Sequence, residues 1–105
     1  MNHSRKGAEG ERLAKKQLEA AGYVVTKSGG SLGAVDLIAI GTLGVRCIQV
    51  KVSTDGRQLQ KANLEAIRET LYPLPRPQAG GVSYEIWVRY KKPNDRKWYW
   101  YRETV

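Results

Sequence analysis

Hydrophobic positions alternate with polar ones in some segments of the chain and follow helical spacing in others. Residues 45–52 are rich in β-branched side chains and are bounded by Gly44 and by the turn-forming run 53–56, which predicts a strand. Residues 34–40 predict a neighbouring strand, and the glycines at 41 and 44 indicate that the two pair as a hairpin. Apolar residues at three- and four-residue steps predict a first helix over 4–21 that ends at Gly22.

The rest of the chain adds one helix and three strands. A short strand is predicted over 23–26, followed by a loop over 27–33. A second helix is predicted to begin with Thr54 or Asp55 as its cap and to end near Tyr72, before prolines at 73, 75 and 77. Strands over 82–91 and 97–103 follow. We therefore expect one domain over residues 1–105, of the α/β class, with a central mixed sheet of about five strands flanked by two helices.

Four polar residues occupy positions where these patterns favour a hydrophobic side chain: Glu11, Asp36, Gln49 and Lys51. Alternation places Gln49 and Lys51 on one face of their strand, with Asp36 beside the mouth of that face. Glu11 lies on or beside the helix stripe that faces the protein body. Taken singly, each has an ordinary structural explanation. Glu11 would be a glutamate favoured by the helix dipole, Asp36 a residue at the entry to a strand, and Gln49 and Lys51 the solvated face of a strand. In this order they indicate a metal-dependent site that cleaves phosphodiester bonds.

Four segments of the chain carry a resemblance to a known family. They are residues 6–12 (KGAEGER), 28–33 (SGGSLG), 35–39 (VDLIA) and 48–52 (IQVKV). Together they resemble the PD-(D/E)XK nuclease superfamily, and within it the archaeal-type Holliday junction resolvases, which also occur in phages. The resemblance runs over about residues 4–71 and implies a restriction-endonuclease-like fold. It implies catalytic roles for Glu11, Arg12, Asp36 and Lys51, and for a loop serine that falls on Ser31, with Ser28 as the second candidate.

The chain departs from the family pattern at two positions. Val35 precedes the aspartate where the superfamily's name has proline, a position that varies among its members. Gln49 stands in the place of the second acidic metal ligand. A glutamine still offers a carbonyl oxygen to a hard cation, but it brings no charge. We therefore expect a site that binds its metal more weakly than the family pattern implies.

Mg²⁺ prefers oxygen ligands in octahedral geometry and retains several waters. Asp36, the Gln49 side-chain oxygen and the Val50 backbone carbonyl are expected to supply part of that shell. Glu11 is expected to hold a water or to help form a second metal position. Lys51 is expected to orient the attacking water and to neutralise the transition state, and Mn²⁺ is expected to substitute for Mg²⁺. Hydrolysis would proceed with no covalent enzyme intermediate and no small-molecule substrate.

Net charge, hydropathy and cysteine content indicate which kind of partner the protein binds and in which compartment it is found. The net charge of +8 predicts a polyanionic partner. The chain has no apolar run near the ~20 residues that span a bilayer and no apolar N-terminal signal, so we expect no membrane contact and a cytoplasmic location, archaeal or in a phage host. One histidine and one cysteine exclude a closed zinc site and an internal disulfide. DNA contacts are expected at Arg5, Lys6, Arg12, Lys15, Ser28 and Ser31.

The aromatic residues cluster in the last two predicted strands. Alternation puts Trp98 and Trp100 on one face, and Tyr99 and Tyr101 on the other. Core packing, a contact between subunits and stacking on unpaired bases are the three alternatives for this cluster, which also includes Trp87. A four-way junction has approximate two-fold symmetry and needs two cuts, so we expect a homodimer with one site in each chain. The resemblance implies the same arrangement.

The sequence thus predicts a Mg²⁺-dependent endonuclease that resolves four-way DNA junctions by paired, symmetric nicks. A nuclease for other branched or nicked DNA is the nearest alternative. The alternative from another class is a DNA-binding protein on the nuclease fold that has lost catalysis through Gln49.

Overall fold

A computed structural model describes residues 3–28 and 33–105, and of residues 3 and 4 the backbone alone. In chain order, the elements are α1 (His3–Ala20), β1 (Val24–Lys27), β2 (Leu37–Gly41), β3 (Gly44–Ser53), a 3-10 turn (Arg57–Leu59), α2 (Lys61–Leu71), β4 (Val82–Tyr90) and β5 (Tyr99–Thr104). The five strands form one sheet in the order β1-β2-β3-β4-β5. The β3–β4 pair is parallel and the other three pairs are antiparallel, so the predicted mixed sheet with two helices is confirmed.

The register of the sheet sets where the polar residues gather. β2 and β3 pair as the predicted hairpin, with Leu37 opposite Ile48. β4 runs parallel to β3 because the chain returns through α2, and this places Lys51 opposite Val88. The carboxyl ends of β3 and β4 therefore lie at the same edge of the sheet.

Helix α1 covers one face of the sheet. Its Ala14 and Leu18 are buried against strand residues that include Ile48 and Val50. A Cβ built on Gly10 would lie 2.6 Å from the Cγ2 atom of Val52, so only glycine permits the observed approach of helix to sheet. The next residue of the helix is Glu11, and this close approach brings its carboxylate to the sheet edge. The predicted helix stripe is confirmed at its centre, whereas its end positions Ala8 and Ala21 are exposed.

Helix α2 covers the opposite face, with Leu64, Ile67 and Leu71 buried. The prediction of one continuous helix from the Thr54–Asp55 cap is wrong. Asp55 Oδ1 accepts a hydrogen bond from the Arg57 backbone N–H at 3.0 Å and so closes the 3-10 turn, not the helix. Gln60, with φ −63° and ψ 144°, then interrupts the helical backbone before α2 begins. In the described part of the chain, neither helix is long and apolar enough to cross a membrane.

The aromatic residues of β4 and β5 pack on both faces of the sheet. Trp87 and Trp100 meet edge to face on the α1 side, with ring centroids 5.7 Å apart. Tyr90 and Tyr101 pack on the α2 side. Trp87 is only 2% exposed, so it belongs to the core and is excluded as a contact with a second subunit. Core packing therefore accounts for most of this cluster, and Trp98 is left half-exposed at the end of the sheet.

Candidate active site

Asp36 is fixed by the backbone of β3. Its N–H donates to the Ile48 carbonyl at 2.9 Å, and its Oδ2 atom accepts from the Val50 N–H at 2.8 Å. The carboxylate thus takes the place of a backbone acceptor at the point where the β2–β3 ladder ends. Because two backbone bonds determine its position, Asp36 needs no contact with other side chains to stay in place.

The Val50 carbonyl lies on the same side of β3 as this carboxylate. The N–H and C=O of a strand residue are directed to the same neighbouring strand, and the Val50 N–H is directed to Asp36. The direction of the backbone is therefore consistent with the predicted participation of the Val50 carbonyl in a metal site.

Gln49 carries a buried side-chain oxygen on the strand face that it shares with Lys51. The residue is 9% exposed, and its Oε1 atom has no hydrogen-bond partner among the described residues. An unsatisfied buried acceptor costs about 1–3 kcal/mol, so such atoms need an explanation. Ser28 Oγ is also buried without a partner in the described part of the chain, and the Ser28 N–H donates to the Asp36 carbonyl at 2.8 Å. Each of these two oxygens, without a hydrogen-bond partner among the described residues, has the capacity to accept a hydrogen bond from a water or to bind a cation.

Glu11 reaches this site from the other face of the sheet. It projects from α1, whereas Gln49 and Lys51 belong to the strand face that α2 covers. Burial raises the pKa of the Glu11 carboxyl, and the neighbouring charge of Asp36 raises it further. The two carboxylates are therefore close enough to repel each other, which is the arrangement that a bound cation stabilises.

Burial also raises the pKa of Asp36, against the opposing effects of the Val50 N–H, Lys51 and Lys27. A carboxyl whose pKa is higher in the folded state than in the unfolded state costs stability once it is ionised. That cost is absent below its unfolded pKa and fully present above the raised folded value. The ionised site is thus unfavourable at neutral pH unless positive charge is brought to it.

Donor types at this edge fit Mg²⁺: two carboxylates, one amide oxygen and one backbone carbonyl are all hard oxygen ligands. Within residues 3–28 and 33–105, no group of three or more His, Cys, Asp or Glu side chains is placed to hold a metal. A cation held here would therefore take its third side-chain ligand from a neutral group, and Gln49 Oε1, which has no hydrogen-bond partner among the described residues, is such an oxygen.

Lys27 is a site residue that the sequence did not identify. It was predicted to begin the flexible loop, but the structure makes it the last residue of β1, opposite Leu37. Its Nζ atom lies 3.8 Å from Glu11 Oε1, and its charge lowers the pKa of both Glu11 and Asp36. Continuing the alternation from Val25 by two residues would have placed Lys27 on the α1 face, which is the one signal that could have found it.

Lys51 stands between two grooves. A cleft of about 320 Å³ separates β3 from α2, and its lining includes Gln49, Lys51 and Asn63. A larger groove of about 500 Å³ lies between the start of α1 and the end of β3, and Lys6 and Lys51 both line it. Lys51 and Gln58 line both grooves, and of these two Lys51 carries the positive charge. A polynucleotide backbone lying along them would pass its ammonium group.

The other predicted residues are distributed unevenly. Lys6 lines the groove beside Lys51, and Ser28 adjoins Asp36. Arg5 and Arg12 are exposed on α1. Lys15 pairs with Glu19, one turn further along α1, at 3.6 Å. Ser31 lies outside the described residues. The structure thus brings Glu11, the Val50 backbone, Lys51 and Ser28 to Asp36. Gln49 and Lys6 each line a groove beside Lys51, and Lys15 lines neither of these two grooves.

Replacing Lys27 by methionine is expected to raise the pKa of Glu11, because the nearest positive charge is removed while burial and the Asp36 charge persist. A carboxyl-carbon NMR titration of the metal-free protein measures it directly. Lys27→Arg should leave the titration near that of the parent. Lys16→Met removes one exposed charge elsewhere on α1 and controls for net charge. A Glu11 titration that is unchanged in Lys27→Met would show that the ion pair does not persist in solution.

Comparison with known proteins gives a likeness in structure. No protein-family model and no curated protein matches the chain. Among solved structures, its backbone is similar to that of Hjc, a Holliday junction resolvase from the archaeal hyperthermophile Archaeoglobus fulgidus. The two sequences are 19% identical, the TM-score is 0.47, and the match covers 91% of this chain and 71% of that chain. The chemistry of the site described above is accordingly inferred from its own residues.

Proposed function

We propose that this protein is a metal-dependent DNA endonuclease that resolves four-way junctions. The observation that supports the proposal is the closeness of Asp36 to Glu11 and Lys51, with Gln49 on the strand face of Lys51 and its buried Oε1 atom without a hydrogen-bond partner among the described residues. The chain's net charge of +8 and the two grooves beside Lys51 support a polyanionic substrate. The sequence resemblance to junction resolvases supports the branched form of that substrate.

The residues divide the work of hydrolysis as follows. Asp36, Gln49 and the Val50 carbonyl would hold Mg²⁺, which when bound stabilises charge on the scissile phosphate and lowers the pKa of water. Lys51 contributes a point charge to the phosphate and to the attacking water. Glu11 orients that water, and its raised pKa favours acceptance of a proton from it. Asp36, held by two backbone bonds, keeps its position throughout.

A homodimer is part of this proposal. One chain carries one such site, and a junction with two-fold symmetry needs two cuts, which a C₂ pair of chains supplies. Trp87 is excluded from the dimer contact by its burial, so the contact must involve other residues.

Incubation of the protein with a labelled four-way junction and with a linear duplex of matched sequence tests the proposal. With Mg²⁺ we expect paired, symmetric nicks in the junction, little cutting of the linear duplex and no cutting in EDTA. Unpaired nicks would contradict the dimer. Equal cutting of the linear duplex would replace the junction with another DNA substrate. Junction binding without cleavage under Mg²⁺ or Mn²⁺ would favour a DNA-binding protein that has lost catalysis.

A further inference from the structure

The turn between β4 and β5 holds an excess of positive charge that the active site does not use. Residues 89–97, here called the basic hairpin, contain five basic residues and one acidic residue. The basic hairpin carries half of the chain's net charge of +8, although it contains less than a tenth of the chain's residues. This concentration in one exposed turn distinguishes the basic hairpin from the dispersed charges of α1.

Four of the five cations lie over aromatic rings. Arg89 and Lys91 lie 4.3 and 4.8 Å from the centre of the Trp98 ring. Lys92 and Lys97 lie 5.1 and 5.6 Å from the centre of the Tyr99 ring. Such interactions order a side chain without neutralising its charge.

Two carboxylates, Asp95 and Glu9, lie within or close to the basic hairpin. The hydrogen bond from the Lys97 N–H lowers the pKa of Asp95, and the charge of Lys92 helps to lower it. Asp95 accepts hydrogen bonds from the Lys97 N–H at 2.9 Å and from the Tyr99 hydroxyl at 3.1 Å, so it is occupied in forming the turn. Glu9 lies 3.5 Å from Arg89 and connects the hairpin to α1. Of the ion pairs formed within residues 3–28 and 33–105, none includes Lys91, Lys92 or Lys97. Three ordered ammonium groups therefore face solvent.

The basic hairpin adjoins the groove that leads to Lys51. The Lys91 N–H donates to the Ser53 carbonyl at 3.1 Å, and Arg89 lies opposite Val52 in the parallel register. Val52 and Ser53 both line that groove of about 500 Å³. A DNA strand lying past Lys51 would thus meet the hairpin where it leaves the groove.

We propose that the basic hairpin binds the phosphate backbone of the DNA arm next to the cut, through Lys91, Lys92 and Lys97, with Trp98 as the ring that orders Lys91. This inference rests on the proposed function and adds to it the surface that holds the arm. Phosphate binding is favoured over base stacking because two cations already lie against the Trp98 ring, where a base would stack. Binding through phosphates is independent of base sequence and falls steeply with salt.

The test is junction binding in EDTA, where no cleavage occurs, over a series of salt concentrations. We expect the triple variant Lys91→Ala, Lys92→Ala, Lys97→Ala to bind on the order of tenfold to a hundredfold more weakly at about 0.1 M salt. The slope of log K against log salt should fall by about 0.9 for each phosphate that the variant no longer neutralises. The matched control is Thr42→Glu, Leu43→Glu, Thr104→Glu. It lowers the net charge by three units, as the lysine variant does, but at exposed positions on the opposite end of the sheet. It should bind within about threefold of the parent.

Equal weakening by both triple variants would overturn the inference, since net charge alone would then explain it. Binding by the lysine variant at the parent's affinity and slope would overturn it as well. Trp98→Phe and Trp98→Ala give an independent readout: phenylalanine should retain most of the salt slope, and alanine should lower it. If Trp98→Ala instead weakens binding mainly to DNA with unpaired bases and leaves the salt slope unchanged, the ring stacks on bases and the inference is wrong.

The binding test of the basic hairpin and the cleavage test of the nuclease proposal can fail independently. A parent protein that cuts junctions, together with a lysine variant that binds normally, removes the hairpin inference alone. A parent protein that binds junctions through the hairpin but never cuts them removes the nuclease and leaves this surface in place.

Discussion

Asp36→Asn is expected to abolish junction cleavage and to leave junction binding within about tenfold of the parent, because affinity comes mainly from phosphate contacts elsewhere. Asparagine keeps an oxygen for the Val50 N–H, so the end of the β2–β3 ladder stays closed, but the negative charge is removed. Lys51→Ala should behave likewise, since it removes the cation that borders both grooves. The measurement is a pair of assays on one junction, cleavage in Mg²⁺ and binding in EDTA.

The metal-free stability of Asp36→Asn provides a control that does not depend on activity. Burial raises the pKa of Asp36, so its ionised form destabilises the folded protein at neutral pH. The variant should therefore melt at a higher temperature than the parent at pH about 7, by about 4–8 °C for each kcal/mol gained. This advantage should disappear as the pH falls through the raised pKa toward the unfolded value of about 3.9. Loss of junction binding by a well-folded variant would mean that Asp36 determines affinity and not catalysis.

Gln49→Ala is expected to slow junction cleavage on the order of 10- to 1000-fold, since it removes the unpartnered oxygen from the metal site. The loss should persist at saturating Mg²⁺ to the extent that the oxygen stabilises the transition state. If Gln49→Ala cuts as fast as the parent at every Mg²⁺ concentration, Gln49 is not a ligand and the site is built from other residues.

Gln49→Glu is the matched gain-of-charge variant. It keeps the reach of the side chain and adds a negative charge beside two carboxylates that already repel each other. We expect the metal-free protein to be less stable, and the Mg²⁺ concentration for half-maximal cleavage to fall, because each added charge attracts the cation. A titration of parent, Gln49→Ala and Gln49→Glu with Mg²⁺ and with Mn²⁺ measures both effects. An unchanged metal requirement in Gln49→Glu would indicate that Lys51 pairs with the new carboxylate.

Strand β3 could be predicted from the sequence, together with the face to which each of its side chains belongs, because side-chain alternation is a property of the local backbone. Gln49 and Lys51 share the face that was predicted for them, and Asp36 lies beside it. The pairing of β2 with β3 was predictable for a similar reason, since a short turn brings the two segments together. The break in the helical backbone at Gln60 could not be predicted, because neither glycine nor proline stands at or beside this position to indicate it.

The sequence by itself predicted most of the strands and helices and which strand face is polar, and its net charge of +8 favours a polyanionic partner. These follow from periodicity and charge, which act over a few residues or over the whole chain. Only the tertiary structure decided that Glu11 arrives from the opposite face, that Lys27 stands beside it, and that Gln49 Oε1 is buried without a partner among the described residues. Each of these depends on contacts between residues far apart in sequence, fixed by the approach of α1 at Gly10 and by the sheet register, which no local pattern encodes.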